Sequence, residues 1–241
     1  MQTTDIAILV PAFNPAQGWS RQLLDEWECF RKELGDMSWS FILVNDGTTT
    51  ADFEQELSYL LSEEPSIQII QQPVNMGKGA ALRKAMELAK ANIYLLTDID
   101  FPYTTESMLR IINELHNGSG ADITAGNRKK DYYKKVPWLR SQLSLFLRWL
   151  IRKRLHLPFD DTQCGLKAMN EKGRKIFLQT KTNRYLYDLE LMVRAVAEKN
   201  ITIKPVPVQL REGILLRRMS FRILFQEATN FMKILLFRNR L

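Results

Sequence analysis

Ile93-Tyr94-Leu95-Leu96-Thr97-Asp98-Ile99-Asp100 is an apolar run that opens into two carboxylates spaced one residue apart. A buried strand that ends in such a pair can hold a divalent cation against a diphosphate, because carboxylates are hard oxygen ligands and the ligand supplies further oxygens. The stretch therefore predicts a nucleotide-sugar site at the carboxyl end of a buried strand. Two solvated carboxylates in a turn are the plain alternative, and the surrounding sequence decides between the two.

Upstream, residues 6–10 are an apolar, β-branched run stopped by Pro11, the pattern of a buried first strand. Leu23, Leu24, Trp27, Phe30 and Leu34 have helical spacing within 20–34, and Gly35 follows as a stop. A second strand at 41–44, a helix at 53–61, a strand at 67–70 and an alanine-rich helix at 79–91 lead to the strand at 93. This alternation predicts an α/β domain with a mostly parallel sheet, helices on both faces and ligands at the strands' carboxyl ends. Downstream, a helix over 107–115, a short strand at 123–125, an amphipathic helix over 139–155, a helix over 188–198 and an extended segment over 201–208 are expected. The last is interrupted by Pro205 and Pro207. One domain is expected over 1–210, followed by a basic amphipathic tail over 211–241 that lies on something apolar.

A chain of 241 residues can bury a full core. Cys29 and Cys164 lie far apart, and no amino-terminal apolar stretch resembles a secretory signal, so a cytoplasmic protein with reduced thiols is expected. No stretch offers the ~18 apolar residues of a membrane span. The formal charge of +7 is concentrated in two places. Residues 128–154 carry ten Lys or Arg against Asp131 alone, and 211–241 carry seven against Glu212 and Glu227. Such concentration implies an anionic partner: a lipid surface, a phosphate-bearing acceptor or nucleic acid.

Four loops follow the first four strands: Pro11-Ala12-Phe13-Asn14, Asn45-Asp46-Gly47-Thr48, Asn75-Met76-Gly77-Lys78-Gly79 and Asp98-Ile99-Asp100. Singly they are turn formers or, for Asn75, a helix cap. Together they put polar groups at one edge of the sheet. Asp46 is suited to accept a hydrogen bond from a base N–H. The glycines flanking Lys78 allow a ligand to approach the backbone, and the lysine offsets phosphate charge. Neither a Gly-x-Gly-x-x-Gly fingerprint nor a P-loop is present.

VPAFNP, VNDGTTT, NMGKGAALRKAM, TDIDFPY, AGNRK and DDTQCGLK, in that order, resemble family 2 glycosyltransferases with the Rossmann-like GT-A fold, and among them the polyprenyl-phosphate hexosyltransferases. The resemblance spans about residues 5–210. It implies a nucleoside-diphosphate sugar donor, Mg²⁺ or Mn²⁺, inverting transfer and a polyprenyl phosphate acceptor. By position it places Pro11, Asp46, Lys78 and Asp98 at the nucleotide sugar, and Asp98 and Asp100 on the metal. It places Arg128, Arg140, Ser144 and Arg211 at the acceptor phosphate, with Arg217 an equal candidate for the last. Arg140, Ser144, Arg148 and Arg152 recur every four residues, one stripe along a helix. DTQCGLK is closer to the glucosyltransferase branch, which favours UDP-glucose over GDP-mannose.

The chain departs from the family pattern at Pro15 and Asn45, where acids are common, and at Phe101-Pro102, where mannose synthases commonly supply a Gln. The third metal ligand is thereby left open. Asp188 and Glu190 stand where many relatives keep an acidic pair. An ionised lipid phosphate needs no general base, so Asp188 is expected to position. Transfer to a sugar hydroxyl of a surface polysaccharide would instead require Asp188 as base, and a non-catalytic basic protein on membrane or nucleic acid would explain the charge clusters but not the four loops. Cys164 is expected to be a packed small residue, and His116 and His156 surface residues. The expected location is the cytoplasmic face of a membrane, reached through 139–155 and the tail, with no nucleic-acid partner.

Overall fold

The computed structural model describes residues 3–116, 120–128, 161, 164–213 and 231. In chain order its elements are β1 (Thr4–Ala12), α1 (Trp19–Glu33), β2 (Trp39–Asp46), α2 (Ala51–Glu63), β3 (Gln68–Gln72), α3 (Lys78–Leu88), β4 (Ala91–Leu96), α4 (Thr105–His116), β5 (Ile123–Arg128), β6 (Lys167–Met169), α5 (Glu171–Leu178), α6 (Tyr187–Ala197) and β7 (Ile203–Val208). The expected helix over 139–155 lies outside the described residues. So does the tail from 214 on, except Phe231.

The seven strands form one sheet in the order β3-β2-β1-β4-β6-β5-β7. β3, β2, β1 and β4 are parallel, so the loops after all four open on the same edge. β6 runs antiparallel to both β4 and β5, and β5 pairs with β7 in parallel. The central strands read as unbroken apolar runs because both of their faces are covered. On β1, Ala7 and Leu9 face one core with Ala81, Leu82, Ala85 and Met86 of α3 and Ile176 and Phe177 of α5. Ile6, Ile8 and Val10 face the other, against Leu23, Trp27 and Phe30 of α1, Phe53 and Leu57 of α2 and Met108 and Ile111 of α4. Phe231 is buried in the first of these cores, so this residue of the tail packs on the domain.

Two elements were not foreseen. β6 is only three residues long and includes the charged Lys167, which removes the apolar run that marks a strand. α5 is a helix of eight residues begun by Asn170, whose side chain accepts from the Lys172 and Gly173 amides. The prolines of β7 do not break it, because it is the outer strand among the described residues, where missing N–H groups are tolerated.

Beneath the carboxyl edge the second core is aromatic. Phe41 stacks on Phe101 at 6.2 Å and 10°, and meets Trp27 edge-on at 4.9 Å. Phe41→Ala is expected to lower folding stability by about 3–5 kcal/mol, because the hole lies between rings that cannot collapse into it; urea denaturation of the variant against wild type checks the loss.

Candidate active site

The loops after β1 and β2 are tied to each other. The Asn14 amide donates to Thr48 Oγ1 at 2.9 Å, with Asn14 in the left-handed region at φ 41°. Asn45 closes the turn by accepting from the Thr48 amide at 2.9 Å and donating to its carbonyl at 2.8 Å. Pro11 sits at the end of β1 opposite Val44.

Asp46, at the end of β2, is buried. Its Oδ1 accepts from the Met76 amide at 2.7 Å, and its Oδ2 from the Gly77 amide at 2.8 Å and the Asn75 side chain at 2.9 Å. Burial pushes its carboxyl up, and the two backbone N–H groups pull it back. The carboxylate expected to face a base is thus first a clasp on the loop after β3, with three of its roughly four acceptor positions filled.

The expectation for the glycines beside Lys78 is corrected. A Cβ on Gly77 would stand 2.5 Å from the Asn183 carbonyl oxygen, and one on Gly79 2.5 Å from that of Thr182 and 2.7 Å from Tyr187 Cβ. The space they leave is filled by the protein's own 182–187 segment, not by a ligand. That contact seats the start of α6, and with it Asp188, beside Lys78.

Lys78 Nζ donates to Asp98 Oδ1 at 2.5 Å. Burial pulls its ammonium down, but the carboxylates of Asp98 and then Asp188 outweigh this and hold it above its ordinary value. The far side of Asp98 is closed by Gly165, whose missing Cβ would lie 2.8 Å from Oδ2. Asp188 in turn is bonded by the fully buried Lys167 at 2.7 Å, and the same ammonium donates to the Cys164 carbonyl. Two ammoniums and two carboxylates thus meet at the centre of the edge, joined through the Cys164-Gly165 turn. Lys167 was missed from the sequence, where its signal is a lone charge inside the apolar Leu166 to Met169 run.

Asp100 lies two residues beyond Asp98 on a tight loop. Phe101 adopts φ 42°, uncommon for a non-glycine residue, and its amide donates to the Asp98 carbonyl at 3.0 Å. Burial first, and the neighbouring Asp98 charge second, push the Asp100 carboxyl up. Two neighbouring carboxylates, one of them bonded by an ammonium, suit a hard divalent cation. Among the described residues no third acid joins them.

Arg211 is bonded to the protein's own groups. Its Nε donates to the Phe101 carbonyl at 2.6 Å, its Nη2 to the Asp100 carbonyl at 2.6 Å, and its Nη1 to Glu26. It braces the Asp98–Asp100 loop, and an acceptor phosphate held by Arg211 would share it with these partners. Arg128 forms a bidentate pair with Asp161 at 2.7 and 2.8 Å. Burial pulls the guanidinium down, but Asp161 more than offsets it and holds it above its ordinary value. Any phosphate held by Arg128 would therefore share it with Asp161, which was legible only as the second acid of DDTQCGLK. Arg140, Ser144, Arg148, Arg152, Arg217 and His156 lie outside the described residues. Cys164 is buried, donates to the Tyr103 hydroxyl at 3.2 Å, and burial pushes its thiol up, consistent with packing and not nucleophilic chemistry. His116 is exposed at the end of α4.

The order of loops and the carboxylate pair have a counterpart among known proteins: the model of glycosyl transferase family 2 matches residues 8–199. The chain belongs to this family. Among the relatives it resembles, a dolichyl-phosphate beta-glucosyltransferase of Trichomonas vaginalis is 29% identical over 240 residues, 96% of this chain and 73% of that protein. One of Dictyostelium discoideum is 26% identical over 219 residues, 86% and 66% respectively. A dodecaprenyl-phosphate galacturonate synthase of Rhizobium johnstonii is 26% identical over 171 residues, 69% of this chain and 48% of that one. The chain thus spans only part of each of these relatives. The family fold is also seen in glucosyl-3-phosphoglycerate synthase of Mycobacterium tuberculosis, solved with Mn²⁺, uridine diphosphate and phosphoglyceric acid. That structure has a TM-score of 0.70 at 16% identity, covering 98% of this chain and 78% of that one.

Lys167→Met leaves Asp188 buried without its cation and is expected to cost about 3–5 kcal/mol of folding stability. Adding Asp188→Asn removes the stranded charge and is expected to restore most of that loss. Chemical denaturation of both variants checks the pair, and equal instability in the two would refute it.

Proposed function

We propose that this family 2 glycosyltransferase moves a hexose, glucose from UDP-glucose before other donors, onto a polyprenyl phosphate. The observation that carries the reading is the pair Asp98 and Asp100, presented at the carboxyl end of β4 on a loop braced by Arg211 and flanked by Lys78. Support for the donor and the acceptor comes from the relatives' own names, a dolichyl-phosphate beta-glucosyltransferase and a dodecaprenyl-phosphate sugar synthase. The Mn²⁺ and uridine diphosphate of the mycobacterial synthase are in keeping with it.

In this mechanism Pro11 and the remaining acceptor position of Asp46 line the nucleoside. Mg²⁺ or Mn²⁺, when held by Asp98 and Asp100, supplies positive charge against the diphosphate. Lys78 adds a second cation on the same side. An oxygen of the acceptor phosphate attacks the anomeric carbon as the bond to the diphosphate breaks, the configuration inverts, and the nucleoside diphosphate departs. Near neutral pH the attacking phosphate is already ionised, so no proton has to be removed from it. Asp188, held by Lys167, positions this centre. A sugar hydroxyl would need Asp188 as its base, and the ammonium 2.7 Å from Oδ1 competes for that carboxylate. This favours the phosphate acceptor.

We further infer that the protein works at the cytoplasmic face of a membrane, bound peripherally. No helix among the described residues is long and apolar enough to cross one. In the sequence of 139–155, Leu143, Phe146, Leu147, Leu150 and Ile151 recur at helical spacing among Arg148, Arg152, Lys153 and Arg154, a pattern suited to anionic headgroups.

Two outcomes follow. With Mn²⁺ and a short polyprenyl phosphate, nucleoside diphosphate is expected to be released from UDP-glucose faster than from GDP-mannose, and Asp100→Ala is expected to abolish release without unfolding the protein. Exclusive use of a GDP-sugar would overturn the donor assignment, and near-normal turnover of the variant would overturn the metal assignment. In flotation, wild-type protein is expected to rise with anionic liposomes at low salt and to stay down at high salt or when Arg148, Arg152, Lys153 and Arg154 are all Gln; failure of the wild type to float would refute the membrane role.

A further inference from the structure

Among the described residues, four cationic side chains at the carboxyl edge are already matched. Lys78 meets Asp98, Arg128 meets Asp161, Lys167 meets Asp188 and Arg211 meets Glu26. Arg184 differs: among the described residues its guanidinium makes neither a hydrogen bond nor a close ion pair, and the carboxylate it acts on, Asp46, does so only at longer range. It is nevertheless half-buried. A guanidinium held on a half-buried residue and given no acceptor by the protein has its N–H donors available to a ligand.

Its placement is fixed from several sides. The Ala80 amide in the first turn of α3 donates to the Asn183 carbonyl at 3.1 Å, and Arg83 donates to the Thr182 carbonyl at 2.8 Å. Glu190 accepts from the Lys181 amide at 3.0 Å and from the Thr182 amide at 2.7 Å. The Arg184 stem crosses the loop before α3, with Cγ 3.0 Å from where a Cβ on Gly77 would stand. Its charge is felt at Asp46 on the loop after β2. The arginine is therefore presented from braced backbone, over the loop that carries Lys78 and beside the loop that carries Asp46.

We propose that Arg184 is a donor-binding residue whose guanidinium pairs with a phosphate of the nucleoside diphosphate. The proposal rests on the reading of this edge as a nucleotide-sugar site. The departing nucleoside diphosphate carries more negative charge than one divalent cation cancels, and Lys78 is already shared with Asp98. A planar fork of N–H donors fits phosphate oxygens, and among the described residues at this edge Arg184 is the one whose fork the protein leaves open.

Calorimetric titration of the full chain with uridine diphosphate and guanosine diphosphate, in the presence of Mn²⁺, tests it. Arg184→Gln is expected to weaken the nucleoside diphosphate that wild type binds by about ten-fold or more. Arg184→Lys should retain part of the affinity. Competition by the bare nucleoside, and the thermal melting point, should stay unchanged. A diphosphate affinity equal to wild type in Arg184→Gln would overturn the proposal. So would an equal fall for the nucleoside and the diphosphate, since that is the signature of a disturbed base pocket. A wild-type protein that binds neither diphosphate would overturn the glycosyl-transfer reading and this proposal with it, whereas wild-type binding with an unaffected variant overturns this proposal alone.

Discussion

The contact of Lys78 with Asp98 is the joint on which the rest of the edge turns. It ties the first residue of α3 to the end of β4, across β1, and is flanked by Gly165 on one side and the Tyr187 ring, 6.0 Å from the ammonium, on the other. Lys78 is largely withdrawn from water, and its ammonium is tolerated there because the Asp98 carboxylate meets it. The second pair, Lys167 with Asp188, repeats the arrangement one layer deeper. Charge is thereby kept at the site while the region around it remains close to neutral.

This arrangement has a geometric requirement, that residues 182–187 approach the start of α3 closely and the turn at Gly165 closes on the Asp98 carboxylate. Glycines at 77, 79 and 165 supply it, and in each case the atom that fills the vacated space belongs to another part of the site. Arg211 supplies the support from beneath, holding two carbonyls of a loop whose Phe101 is in a sparsely populated backbone conformation. A residue in that region persists only where its surroundings over-determine it, and the Phe41 stack and the Arg211 bonds do so here.

The first hundred residues were readable in the sequence because their information is local. Strands buried on both faces show as apolar runs, helices covering one face show their period, and the parallel order puts the four loops on one edge. Lys78, Asp98, Asp100 and Asp188 lie near one another at this edge. What could not be read was partner choice. Asp161 lies 33 positions from Arg128, and Glu26 lies 185 from Arg211, so nothing in either neighbourhood says that these arginines are spent. The same holds for the glycines by Lys78, where the sequence shows that something approaches but not that it is residues 182–187. Lys167 was obscured for a different reason: a buried charge looks like a break in a strand until its counter-ion is known.

The prolines of β7 bear on the protein's behaviour at high concentration. A sheet's outer strand is a template on which a foreign strand can add, and long ladders of free amides are where aggregates and fibrils start. Positions 205 and 207 contribute no N–H to such a ladder, and they stand two apart in a strand of only six residues. An incoming chain would find an interrupted row of donors there, so a protein with a broad, two-sided apolar core is poorly suited to polymerise through this margin.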